Sequence, residues 1–387
     1  MTTKPIYLDN AATTPIDPRV MSAMLPHFKN NFGNPASLHS LGQKASLAVE
    51  LGREVIASVI NANPEEIIFT SSATESNNTV LKGIAFANRT RGKHIIISSI
   101  EHDCILESAK WLEKQGFEIT RLKVDKLGFV NPKDVKSALR PDTILLSVIH
   151  ANNEIGTIQD IAQIGKICRN HKVYFHTDAV QSFGKIPLDV DAMNIDLLTA
   201  SSHKIYGPKG VSCLYIRKDT KIEPLLHGGG HESGLRSSTV NTPLIVGFAE
   251  AAKLCLQEME KEAKRLSALR DKLISGILST ISYSWLNGDP VQRLPNNVNI
   301  SFARVEGESL LMELSFGKIY CSTGSACSSR SLQPSHVLLA TGLKPENAHG
   351  SLRFSLGRWT TADDINRLLQ ILPKIVNRFR NISPYKL

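Results

Sequence analysis

The chain has 387 residues, 42% of them hydrophobic and 21% charged, a composition ordinary for a globular protein and a length that suits two domains or one large domain with a smaller partner. Its formal net charge is +9, but Lys and Arg are scattered and no stretch interleaves basic and aromatic residues, which argues against direct nucleic-acid binding and leaves a basic surface suited to an acidic partner or an anionic cofactor. No apolar run spans a bilayer, no targeting segment opens the chain, and the 6 cysteines form no C-x-x-C pair, so the expectation is a cytoplasmic protein with reduced thiols, no membrane contact, no disulfide framework and no metal site.

Short apolar runs rich in β-branched residues alternate with helical patterns through the first two thirds. The runs Ile67–Thr70, 94–99, 118–124, 144–150, 173–177, 197–200 and 211–217 read as strands. Helical spacing recurs at 79–87 and at Ile161, Ile164, Ile167 and Cys168. Such alternation predicts a mostly parallel sheet covered by helices on both faces. The last third reads differently. A long amphipathic helix covers about 244–279, with Met259, Ala263, Leu266, Leu269, Leu273 and Ile277 on one face. A strand at Asn297–Phe302, a helix at 308–315 and a strand at 352–356 follow. A final helix starts after Thr361, where Thr361 and Asp364 resemble a capping box. This is an α+β unit of its own, and the change of domain is expected near residue 250, within the long helix.

Five segments, and Arg353 beside them, carry chemistry. Residues 201–204 (SSHK) follow an apolar strand and precede a Gly/Pro loop at 206–210. A lysine there, beside small hydroxyls and a histidine, suits an amine that binds an aldehyde cofactor, with donors for its phosphate. Residues 176–181 (HTDAVQ) end another strand, and a carboxylate at a strand's C-terminal end faces the crevice where open α/β sheets bind ligands. Asp178 can keep a pyridine nitrogen protonated, and Gln181 can hydrogen-bond a ring hydroxyl. Residues 71–77 (SSATESN) open a helix whose free N–H groups can meet a phosphate. His102 follows the strand 94–99 and can lie on a cofactor ring and move protons. Cys327 sits among small residues at 322–329 (STGSACSS), which leave its sulfur exposed, as a thiolate nucleophile requires. Arg353, in a strand pattern, can grip a carboxylate with two hydrogen bonds. Each segment also has an ordinary structural reading: a solvated loop lysine, a turn-capping Asp, an N-capped first turn, a structural His, a plain exposed Cys and a surface salt bridge.

Their joint order resembles the cysteine desulfurases of the NifS/IscS type, in the class V aminotransferase group of fold-type I pyridoxal-phosphate (PLP) enzymes. The resemblance runs over nearly the whole chain, through 7–14 (YLDNAATT), 34–37 (NPAS), 73–76 (ATES), Glu101-His102, 152–156 (NNEIG), 203–210 (HKIYGPKG), 228–232 (GGGHE), 236–239 (RSST), 324–327 (GSAC) and 353–358 (RFSLGR). It implies an α/β fold with a large PLP-binding domain over 15–250, its mostly parallel mixed sheet covered by helices, and a smaller α+β domain from 1–14 and 251–387 carrying the cysteine loop. It implies Lys204 as the lysine that holds the PLP aldehyde, Asp178 at the pyridine nitrogen, Gln181 at the ring hydroxyl and His102 on the ring. Ala73, Thr74, Ser201 and His203 would hold the phosphate, with Thr239 from the partner subunit of a homodimer. Asn153, beside the cofactor, and Arg353 would bind the carboxylate of L-cysteine, and Cys327 would take its sulfur as a persulfide and leave L-alanine. The resemblance further implies a sulfur-acceptor protein, either an iron–sulfur scaffold or a tRNA-thiolation enzyme, with Cys327 able to ligate a cluster in transit. A selenocysteine lyase or another class V aminotransferase is the alternative, and an aminotransferase has no need of the loop 324–327.

Overall fold

The computed structural model describes residues 4–323 and 333–382. Seven strands form the larger sheet: β2 (Ile67–Thr70), β3 (His94–Ser98), β4 (Glu118–Leu122), β5 (Thr143–Ser147), β6 (Tyr174–Asp178), β7 (Leu197–Ser201) and β8 (Ser212–Ile216), in the order β2-β8-β7-β6-β5-β3-β4. The β3, β5, β7 and β8 strands are buried at every position, which is why they read as continuous apolar runs rather than as alternation. Pairing is parallel except at β8, which runs against both β2 and β7. The other strands therefore end at one common edge. This is the mostly parallel sheet that the sequence predicts. The strands 118–124 and 144–150 stop early, at Leu122 and Ser147. Residues 148–150 continue alongside β6, with the Val148 and His150 N–H groups donating to the His176 and Asp178 carbonyls at 3.1 and 3.0 Å, and Ile149 lines the cavity described below.

Helices cover both faces. On one face α3 (Ala73–Ala87) and α4 (Asp103–Lys114) pack Val80, Leu81, Ile84, Ile105 and Ala109 against Ile68, Ile95, Ile97 and Leu197. On the other, α1 (Pro18–Lys29), α2 (Ser40–Val59), α6 (Ile161–Asn170) and the start of α7 (Thr242–Thr280) meet Phe69, Ile96, Leu146, Phe175 and Leu198. The 39-residue α7, roughly 58 Å at 1.5 Å per residue, serves two cores. Ile245, Phe248, Ala251 and Ala252 join the first. Leu266, Leu273 and Ile277 join a second, built on an antiparallel sheet in the order β12 (Ser322–Thr323), β13 (Ser351–Ser355), β10 (Asn297–Phe302), β9 (Ser284–Leu286). Ile6 and Leu8 belong to this second core, since β1 (Ile6–Tyr7) pairs in parallel with β11 (Ile319–Tyr320). The helix α11 (Ala362–Ile382) closes it with Ile365, Leu368, Leu372 and Ile375. Its start carries the expected reciprocal cap: Thr361 N–H donates to Asp364 Oδ2 at 2.9 Å and Asp364 N–H to Thr361 Oγ1 at 3.2 Å. Among the described residues, no helix is long and apolar enough to cross a membrane.

Candidate active site

Where β6 and β7 end, at the edge shared by the parallel strands, the chain leaves the sheet and exposes polar side chains. Asp178 is the last residue of β6; its Oδ2 accepts from Asn77 Nδ2 at 2.8 Å and its Oδ1 from the Val180 N–H at 3.0 Å. Lys204 closes a single 3-10 turn, Ser202–Lys204, directly after β7. Its Nζ donates to the carbonyls of Ala11 and Ala12, both at 2.7 Å. The same N-terminal segment takes Gln181 Nε2 on the Ala11 carbonyl at 2.9 Å, and Thr13 Oγ1 lies 3.1 Å from His203 Nδ1. The turn after Lys204 is strained. Tyr206 has φ +68°, held by Thr14 Oγ1 on its N–H at 2.8 Å and by the Arg358 N–H on its hydroxyl at 2.8 Å. At Gly207 a Cβ would stand 2.1 Å from Ser202 Oγ, so only glycine fits.

Two helix starts face the same edge. Ala73 and Thr74 open α3, where Ser72 caps by accepting from the Glu75 N–H at 3.1 Å. First-turn N–H groups lack intrahelical acceptors and favour an anion. His102 caps α4, its Nδ1 accepting from the Cys104 N–H at 3.2 Å. Across from these, Arg353 comes from mid-β13, 2% exposed. Its Nη1 donates to the Asn153 carbonyl at 3.1 Å and its Nη2 to Asp9 Oδ1 at 2.9 Å. Asp9 Oδ1 also accepts from Ser322 Oγ at 2.8 Å.

Between these walls lies a cavity of about 290 Å³, lined by Ala73, Thr74, His102, Asn153, Asp178, Gln181, His203, Lys204 and Arg353, and also by Asn77, Cys104 and the 11–12 backbone. Nine of the expected residues thus share one space. Ser201 does not line it: its hydroxyl accepts from Ser212 Oγ at 2.9 Å across β7 and β8. Thr239 is exposed and lies outside the cavity of its own chain. Cys327 lies outside the described residues. Asn77, Cys104 and Asp9 are the residues that the sequence reading missed. For Asn77 a signal existed, because it stands four positions after Ala73 and three after Thr74, on the same face of α3. For Cys104 and Asp9 there was none.

The electrostatics favour an anionic guest. Burial and the Lys204 ammonium push the Lys185 amine, which donates to Gln181 Oε1 at 3.3 Å, down to about 7. Burial, with Lys204, Lys209 and Lys185 nearby, holds the His203 imidazole at about 4, so it is neutral at pH 7. Two buried lining groups, Asn77 Oδ1 and Arg353 Nε, have no partner among the described residues. An amine that can take an aldehyde, a carboxylate on the cavity floor, a helix N-terminus for a phosphate and an imidazole at the rim are the groups that PLP needs. The residues present fit it.

Comparison with known proteins agrees with this geometry. Residues 6–368 match the family described as aminotransferase class-V. A cysteine desulfurase IscS of Dictyoglomus turgidum is 54% identical over 98% of this chain and 97% of its own. The cysteine desulfurase of Homo sapiens is 50% identical over 98% of this chain and 84% of its own. Among solved structures, a NifS-like protein superposes with a TM-score of 0.92 at 38% identity, covering 97% of this chain and 100% of its own. A structure of SspA in complex with cysteine superposes with a TM-score of 0.82 at 39% identity, covering 92% and 100%.

Proposed function

The chain belongs to the class-V aminotransferase family, and within it we propose that it is a PLP-dependent cysteine desulfurase, which converts L-cysteine to L-alanine and places the sulfur on Cys327 as a persulfide. The observation that carries this reading is the meeting of Lys204, Asp178 and His102 with Arg353 in one cavity. Arg353 also stands opposite Ser322 in the β12–β13 register. Cys327 is five positions after Ser322, a reach of at most about 18 Å. Relatives that share half of the sequence carry the same name.

When bound, PLP supplies an aldehyde for the substrate amine and a protonated ring that draws electrons from the substrate's α-carbon. Lys204 Nζ would hold the aldehyde and, when free, would take the substrate's α-proton as general base. Asp178 would accept from the ring N–H, Gln181 would meet the ring hydroxyl, and the N–H groups at Ala73 and Thr74 with His203 would hold the phosphate. Arg353 and Asn153 bind the carboxylate of cysteine. The Cys327 thiolate would attack the substrate Sγ: an S–S bond forms, the Cβ–Sγ bond breaks with its electron pair left on Cβ, His102 would protonate Cβ, and Lys204 would return its proton to the α-carbon to complete alanine. Four of the five other thiols are poor nucleophiles, since burial raises those of Cys213 to about 12 and Cys255 to about 11 and also raises those of Cys168 and Cys321.

The same reading includes a homodimer, in which Thr239 of one subunit serves the phosphate site of the other. An exposed apolar face on α1 and α2, with Met21, Leu25, Phe28, Leu47 and Leu51, supports it. A division into 15–250 and 1–14 with 251–387 is supported by the packing of Ile6 and Leu8 in the second core. The sulfur is passed to an iron–sulfur scaffold or a tRNA-thiolation enzyme in the cytoplasm, and the net charge of +9 suits an acidic acceptor. The test incubates the PLP-loaded protein with L-cysteine and quantifies alanine and sulfide, then weighs the peptide that carries Cys327. Alanine formation with one added sulfur on that peptide is expected. No alanine from loaded protein, or sulfur on another cysteine, overturns the reading. L-Selenocysteine in a parallel reaction separates a lyase preference.

A further inference from the structure

A second amine stands beside the cavity. Lys185 lies in the turn after β6, four positions after Gln181, and is half-buried. Its Nζ donates to Gln181 Oε1 at 3.3 Å, its one hydrogen-bond acceptor among the described residues. Lys185 also lines a second, small cavity of about 40 Å³ with Tyr206, Cys255, Glu258, Glu262 and Arg358. The two carboxylates there are already paired: Glu258 with Arg358 at 2.6 Å and Arg19 at 2.8 Å, Glu262 with Arg265 at 2.8 Å. Burial raises the Cys255 thiol and the Tyr206 hydroxyl, so both are neutral. Lys204 faces Lys185 from the turn after β7 as a like charge. Lys185 therefore has no counter-ion among the described residues, and Gln181 connects it to the cofactor site.

Hydrogen-bond chemistry separates what Lys185 adds from what is already in place. The sense of the Gln181 amide is set without Lys185, because Nε2 donates to the Ala11 carbonyl at 2.9 Å, and a carbonyl only accepts. The second Nε2 hydrogen is left for a ring oxygen. What Lys185 alone brings is charge. An ammonium on Oε1 polarises the amide, and the N–H at the other end becomes a stronger donor. That donor favours an ionised ring oxygen over a neutral hydroxyl. Burial and the Lys204 ammonium lower the Lys185 amine, and an ionised ring oxygen at Gln181 acts the other way and favours the ammonium.

We propose that Lys185 is a positioning residue that acts by charge: through the Gln181 amide it holds the cofactor's ring oxygen negative and resists a proton shared between that oxygen and the Lys204 nitrogen. This deepens the desulfurase reading and rests on its placement of PLP on Lys204 with the ring hydroxyl at Gln181. Without the charge, the shared proton is held to higher pH.

The test follows the visible absorption of lysine-bound PLP against pH in the loaded protein, without cysteine, as wild type, Lys185→Met, Lys185→Gln and Lys185→Arg. Methionine removes donor and charge, glutamine keeps a donor without charge, and arginine keeps both. The pH midpoint of the absorption is expected to rise by about 1 unit in Lys185→Met and Lys185→Gln, a roughly tenfold gain in proton affinity. Lys185→Arg should return it toward wild type. A role in packing or in amide orientation alone would not sort the midpoints by charge. If Lys185→Met fails to hold PLP, the comparison of Lys185→Gln with Lys185→Arg decides alone. A Lys185→Gln midpoint equal to wild type, or a Lys185→Arg midpoint displaced as far as that of Lys185→Gln, overturns the proposal. Wild-type protein with no visible band at any pH overturns the PLP reading itself, whereas a band with one midpoint in every form overturns only the role of Lys185.

Discussion

Asp178, Lys204 and His102 stand at or just beyond the ends of parallel strands, whereas Arg353 stands in the middle of an antiparallel one. The first wall is fixed by backbone: each side chain leaves a sheet packed on both faces and is tied to a neighbouring carbonyl, amide or helix start. The second wall is fixed by charge. Arg353 is buried against Asp9, so an incoming carboxylate meets a guanidinium that already has a counter-ion. The Arg353 Nε, without a partner among the described residues, is left for it, and the existing Asp9 counter-ion limits the gain from binding. In the proposed reading, the first wall carries the reaction and the second selects the substrate. Substitutions in the two should then divide between kcat and KM.

The largest effect is expected from Lys204→Ala. It should lose the visible absorption of lysine-bound PLP and slow alanine formation by roughly 10³-fold or more, because the base and the anchor go together. Turnover close to wild type would break the division at its first wall. Cys327→Ser should keep the cofactor absorption and respond to added cysteine spectrally, yet lose alanine and sulfide by roughly 10²-fold or more, since a hydroxyl does not attack sulfur as a thiolate does. Arg353→Ala should lower kcat/KM for cysteine by roughly 10- to 100-fold through loss of charge-assisted hydrogen bonds, with most of the change in KM. A fall in kcat at constant KM would show that the second wall takes part in the chemistry.

The smallest effect concerns the support beneath the first wall. Glu101 is fully buried, accepting from Ser98 Oγ at 2.5 Å and the Ile149 N–H at 2.6 Å. Burial pushes its carboxyl up to about 8. Between the unfolded value of about 4 and that folded value, the folded protein binds the extra proton, so stability falls as pH rises through the window. Glu101→Gln removes that slope. Its melting temperature relative to wild type should climb from about pH 4 to about pH 8 and then level off. Glu154, pushed up to about 7, titrates in both proteins and cancels in the difference. A constant difference across the range would show that Glu101 is ionised in the fold.

The sequence by itself determined the features that arise within one element or at its end. Runs such as IIFT and TILLS are buried on both faces and so read as strands of a covered parallel sheet. The Thr361–Asp364 cap is spaced by a single helical turn. Asp178 and Lys204 were legible because a polar residue directly after a buried strand has the sheet edge as its only outlet. Tertiary structure alone decided the rest. Ser201 turns its hydroxyl to Ser212 because the antiparallel register of β7 and β8 sets the two opposite each other, and register is invisible in either strand alone. Asp9 reaches Arg353 across 344 positions of chain, and Asn77 reaches Cys104 across 27 and Asp178 across 101. Hydrophobic period and capping report the local chain, which repeats every two or 3.6 residues. Contacts between polar side chains from separate elements have no period, and only the packing of both cores against α7 and the N-terminal segment brings them together.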